Sequence, residues 1–197
     1  MPPFVVDQDA VREFVDRAAL EEWYVRNHAT AAELWLKLHK KGSGLPSVAN
    51  AESLDVALCW GWIDGIRKPF DETSFLQRYT PRTRNSRWSA RNREHVHRLT
   101  AEGRMRPPGQ AQIDLAKADG CWARAYDGSA TMEFPADLLR AIEGRPDALS
   151  TFRTLDARNR YALAYRLHHL KTDAARARKI ETFVEMLARG ESIHPRS

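Results

Sequence analysis

The chain has 197 residues, of which 43% are hydrophobic and 29% charged, and a formal net charge of +5. That length suits one large domain or two small ones whose core needs no staples, and no apolar run approaches the roughly 18 residues of a membrane helix. Cys59 and Cys121 are too few for a disulfide framework, and the N-terminus lacks the basic and long apolar stretches of a secretory signal, so a reducing cytoplasm is expected.

Residues 8–27 read as a helix, with Asp7 or Asp9 as cap and Val11, Phe14, Val15 and Ala18 at helical spacing. A strand is expected over 33–41, where alternation sets in at Leu36. After the loop 42–46 comes a short helix over 51–59, capped by Asn50 or Ser47. Trp62 to Lys68 and Ser74 to Thr80 read as two strands around the turn 69–72. Pro81 disfavours helix at Thr80, so 81–87 is irregular. Ser86 or Ser89 then caps a helix to about Glu102, which Gly103 stops. Pro107-Pro108-Gly109 opens a helix to Ala118, ended by Gly120. Residues 121–134 read as a connector or a last strand pair, and four helices follow at 135–143, 146–153, about 156–169 and about 173–189. The expected fold is α+β: residues 1–125 form a small antiparallel sheet packed on helices, and residues 126–197 a helical segment.

Chemistry concentrates between Cys59 and Asn92, which holds three of the six tryptophans. Trp88, Asn92, Val96 and Leu99 fall on one helical stripe, so Asn92 points inward and needs partners, which the 81–86 loop can supply. Arg82, Arg84, Ser86 and Ser89 surround the start of that helix, where free N–H groups and positive potential favour an anion; the competing reading is ordinary capping beside solvated arginines. Asp64 shares a strand face with Trp62, as an acid, a base, an ion-pair partner of Arg67, Arg84 or, as favoured here, Arg82, or part of a bulge preceding Gly65. The candidate ligand site is therefore Trp62, Asp64, Arg82, Arg84, Ser86, Trp88, Ser89 and Asn92, with no catalytic residue, metal or cofactor assigned. Nothing resembles a metal-ligand spacing, a nucleophile elbow or a Gly-rich phosphate loop. Arg78 to Arg106 carries nine arginines against Glu94 and Glu102, which reads either as a nucleic-acid footprint or as a solvated helix face in an arginine-rich chain.

These residues resemble the YdeI/OmpD-associated, or bacteriocin-protection, family. The resemblance runs through Trp35-Leu36, Lys40-Lys41, the segment Ala57 to Gly65, Thr80-Pro81-Arg82, Ser86-Arg87-Trp88-Ser89 and Asn92, then Gly103-Arg104-Met105, Gly109, Ala116-Lys117 and Gly120-Cys121-Trp122. It covers 35–122 and is weaker in the helical part, where the family's Lys-x-x-Glu-Thr-Arg run meets Lys171 to Arg176 with Ala175 in place of the threonine. It implies a distant YjbR/CyaY-like relation, although frataxin-type iron binding does not carry over to a chain with no acidic ridge. It also implies a non-enzymatic cytoplasmic protein with a stress or bacteriocin-protection role, and we read an anionic ligand as its partner. The alternatives are nucleic-acid binding through Arg78–Arg106 and an enzyme using Asp64 as acid or base.

Overall fold

The computed structural model describes residues 6, 10–127, 132–168, 170 and 172–194. The chain divides into two compact units, Met1–Ala125 and Tyr126–Ser197. Among the described residues no helix is long and apolar enough to cross a membrane.

The first unit is built on a four-stranded sheet in the order β1-β2-β4-β3. Strand β2 (Leu34–His39) lies inside it, between β1 (Val11–Glu13) and β4 (Ser74–Pro81), and β3 (Trp62–Pro69) pairs with the far side of β4. Burial on both faces explains why β2 reads Leu-Trp-Leu-Lys-Leu. Leu34, Leu36 and Leu38 enter the main core, while Trp35 packs with Val6 and Leu76 on the opposite face. The β2–β4 and β3–β4 pairs are antiparallel, but β1 runs parallel to β2, so the sheet is mixed.

Strand β1 is a correction to the expected helix over 8–27. The helix α1 spans only Arg17–Asn27, and its N-cap is Asp16, which accepts the Ala19 N–H at 2.9 Å. Asp7 and Asp9 lie outside the described residues. Its buried stripe is Leu20 and Tyr24, one turn apart, and Val15 stays exposed. What holds 11–13 extended is a pairing from far along the chain. Glu13 accepts from His39 at 2.5 Å and meets the Lys37 ammonium at 3.3 Å, both on β2, which holds its carboxyl below the ordinary range. No local periodicity reports that contact.

Helix α2 (Asn50–Cys59) is buried from Ser53 to Cys59 and forms the centre of the unit. Its N-cap is Ala49 rather than Asn50 or Ser47, and Glu52 accepts the Ala49 N–H at 3.2 Å. Asp55, only 7% exposed, accepts from His95 at 2.7 Å and from Arg98 at 2.6 Å on α3 (Ala90–Ala101), so a paired carboxylate docks the two helices. Helix α3 buries Asn92, Val96 and Leu99, and Trp88 just before it, in the stripe expected; Ser89 caps it by accepting the Asn92 N–H at 3.1 Å. Helix α4 (Pro107–Ala118) begins against the last turn of α2. A Cβ on Gly109 would overlap the Cys59 carbonyl oxygen and stand 2.8 Å from that of Leu58. Gly61, at φ +76°, turns the chain out of α2 and into β3.

The second unit holds α5 (Ala136–Glu143), α6 (Pro146–Arg153), α7 (Ala157–His168) and α8 (Asp173–Ala188) around Leu138, Ile142, Phe152, Leu163, Leu167 and Phe183. One ion pair ties three of them. Arg176 donates to both Asp137 oxygens, at 2.6 and 2.9 Å, and to the Leu167 carbonyl at 3.2 Å. At Ala175, in place of the family's threonine, the backbone N–H donates to Thr172 Oγ1, the cap of α8, at 3.2 Å. Residues 121–124 form a turn, and beyond a single bridge residue at Tyr126 no further strand forms among the described residues of 121–134. The architecture as a whole is mixed α+β with a helical C-terminal segment.

Two outcomes follow from these contacts. Gly109→Ala forces backbone against backbone, so it should destabilise the protein by about 3 kcal/mol, the upper end of overpacking, measured by urea unfolding. The Arg176 guanidinium holds the Asp137 carboxyl down to about 2. Its stabilisation is present above the ordinary carboxylate range and is lost as pH falls through about 2. Asp137→Asn should therefore lower the unfolding midpoint at neutral pH, and the two proteins should converge by that pH.

Candidate functional site

Where β4 ends, the Arg82 N–H donates to the Gly61 carbonyl at 2.9 Å, and the chain leaves the sheet. The next residues close on themselves. The Ser86 N–H donates to the Thr83 carbonyl at 2.9 Å, and the Thr83 N–H to Ser86 Oγ at 3.0 Å. This tight turn brings Trp88 back under Arg82. The Arg82 guanidinium lies 3.6 Å from the Trp88 ring centroid, and Nη1 donates to the Arg87 carbonyl at 3.3 Å. Trp88 in turn meets Trp122 at 4.8 Å. A planar guanidinium on an indole face gains cation–π and packing energy together, about 2 kcal/mol when desolvated, and Arg82 is only 6% exposed.

Beside this stack opens a cavity of about 570 Å³, within the range of small-molecule sites. The loop contributes Arg82, Thr83, Arg84, Ser86 and Trp88 to its wall. Helix α4 and the turn after it contribute Gln112, Leu115, Ala116, Ala118, Asp119 and Cys121. Asp119 spends one oxygen on the Cys121 N–H, at 2.8 Å. Cys59 is fully buried elsewhere, and burial pushes its thiol up to about 11. A cavity with two arginines, one carboxylate and an apolar wall can hold an anion by hydrogen bonds and charge.

Four of the eight sequence candidates, Arg82, Arg84, Ser86 and Trp88, line this cavity together. The others sit apart. Ser89 is spent capping α3, and Asn92 faces the core; among the described residues its amide makes no hydrogen bond to the 81–86 loop, contrary to expectation. Trp62 is a core residue, edge-on to Trp23 and Tyr24, with its indole N–H donated to the His28 carbonyl at 3.2 Å. Asp64 is exposed, and the expected ion pair with Arg82 does not form. The reasons are local. A bulge follows Asp64, filled by the Gln77 amide donating to the Gly65 carbonyl at 3.0 Å, and Arg82 turns onto Trp88 instead. The α4 half of the cavity was not anticipated. Its one signal was Leu115, apolar on a helix face whose inward residues are Ile113 and Ala116.

Four of the nine arginines of the cluster are engaged by carboxylates. Arg78 pairs with Glu33 at 2.6 Å, and Arg98 with Asp55 at 2.6 Å and Glu102 at 3.0 Å. Arg104 pairs with Glu102 at 3.1 Å, and Arg106 with Glu21 at 3.7 Å. Three of these acids, Glu21, Glu33 and Asp55, lie outside the arginine-rich segment, so its +7 balance overstates the charge of that surface. Among the described residues no group of three histidine, cysteine or acidic side chains could hold a metal ion.

No curated protein and no solved structure matches the chain significantly. Residues 131–190, in the helical unit, match the model of the family described as bacteriocin-protection, YdeI or OmpD-associated. That match falls on the part of the chain where the resemblance read from the sequence was weaker, while the tryptophan-rich part falls under a second model. The second model spans residues 12–112, just over half of the chain, and the chain accordingly belongs to the family described as a domain of unknown function, DUF8412, joined to a YdeI/OmpD-associated segment.

Proposed function

We propose that this protein is a cytoplasmic binding protein with a bacteriocin-protection or stress role, and that it holds a small anionic ligand in the cavity between the 82–88 loop and α4. The observation that carries the reading is the buried guanidinium of Arg82, stacked on Trp88, in the wall of an open cavity of ligand size. Burying a cation is costly, and an anion entering that cavity meets it already desolvated and oriented. Arg84 stands exposed on the same wall as a second, rim charge. The family description supplies the protection role.

Two other readings receive less support. Nucleic-acid binding needs arginines turned outward along one surface, and Arg78, Arg98, Arg104 and Arg106 are engaged by carboxylates. An enzyme working through Asp64 needs that carboxylate in a cleft beside a reacting group. Asp64 is instead exposed on β3 and does not line the cavity.

The test is thermal unfolding against a panel of acetate, benzoate, sulfate, phosphate, a nucleoside monophosphate and a short DNA duplex. At least one small anion should raise the midpoint, by an amount equivalent to about 2.7 kcal/mol at a hundred times its Kd, and Arg82→Met should abolish the rise. The duplex should give no rise at physiological salt. A duplex effect that collapses steeply with salt, with none from the small anions, would replace this reading by the nucleic-acid one.

A further inference from the structure

We infer that the ligand is a monocarboxylate carried on an apolar body, an aryl or short acyl acid, rather than a phosphate ester. This rests on the anion reading of the same cavity and narrows it. Three observations lead there. First, the charges lining the cavity are Arg82, Arg84 and Asp119, a net of +1, which matches a monoanion and would leave a phosphate dianion opposed by the Asp119 carboxylate. Second, the backbone N–H groups that would cradle a phosphate are already engaged: that of Thr83 donates to Ser86 Oγ, that of Ser86 to the Thr83 carbonyl and that of Asn92 to Ser89 Oγ. Third, the α4 side of the wall is largely apolar: Leu115, Ala116 and Ala118 line it beside Gln112, and Leu115 is 61% exposed. A large aliphatic side chain left in water at the mouth of a cavity gains by covering a hydrophobic body. A carboxylate on Arg82 places such a body against that wall.

The cavity carries its own reporter. Cys121 is part of its wall, and Cys59, the second of the two cysteines, is fully buried, so iodoacetamide should label Cys121 alone in the folded protein. The experiment measures that rate, by peptide mass spectrometry, against 2-naphthoate, the uncharged 2-naphthamide and inorganic phosphate. Saturating naphthoate should slow labelling at least tenfold, and the amide should need at least tenfold higher concentration for the same protection. Leu115→Asp, a change at an exposed position, should raise the half-protecting naphthoate concentration at least fivefold with an unchanged unfolding midpoint. Phosphate protecting as well as naphthoate, or Leu115→Asp leaving protection unchanged, would overturn the apolar-acid inference and leave the anion reading standing. Amide and acid protecting equally, or none of the three protecting, would overturn both.

Discussion

The short turn Cys59–Gly61 is the point on which the first unit depends. The Cys59 carbonyl receives the Arg106 N–H and sits against Gly109, while the Gly61 carbonyl receives the Arg82 N–H. One turn of backbone therefore fixes where α4 starts and where the chain leaves β4. Those are the two sides of the cavity. The geometry requires glycine twice: Gly61 for its positive φ, and Gly109 because no Cβ fits against the carbonyls of α2.

Charge in this protein is organised in space rather than along the sequence. The Arg78–Arg106 segment is strongly basic as a string, yet most of the acids that neutralise it come from α1, the residue just before β2, and α2. Asp55 makes the point best, since a carboxylate in the middle of a buried helix is tolerable only because α3 presents His95 and Arg98 to it. The same contacts that remove charge from the surface orient α3, and with it Trp88 and the stack under Arg82.

The regular elements were legible because their signals are local. The Trp88–Leu99 stripe, the glycine stops at Gly103 and Gly120, the Pro-Pro start of α4 and the last four helices all follow from spacing and caps within a few residues. Strand β1 was not, because Glu13 is held by His39 and Lys37 across the sheet, and nothing near Val11 records it. The site was legible by half. The loop announced itself through Arg82, Arg84, Ser86 and Trp88, but its opposite wall comes from a helix that looks like any other amphipathic helix. Trp62 and Asp64 misled because a shared strand face does not set burial: the register is regular up to the bulge that follows Asp64, yet Trp62 lies in the core, Asp64 is exposed, and Arg82 turns onto Trp88.

That bulge also bears on the outer edge of the sheet. Strand β3 is an edge strand, and an edge with open backbone groups invites another chain to add to it. Here the strand is irregular after Asp64, carries Arg67 and Lys68, and finishes at Pro69, which has no N–H to offer. The opposite edge, β1, is three residues long. Both margins of the sheet are thus poor templates for the addition of another strand.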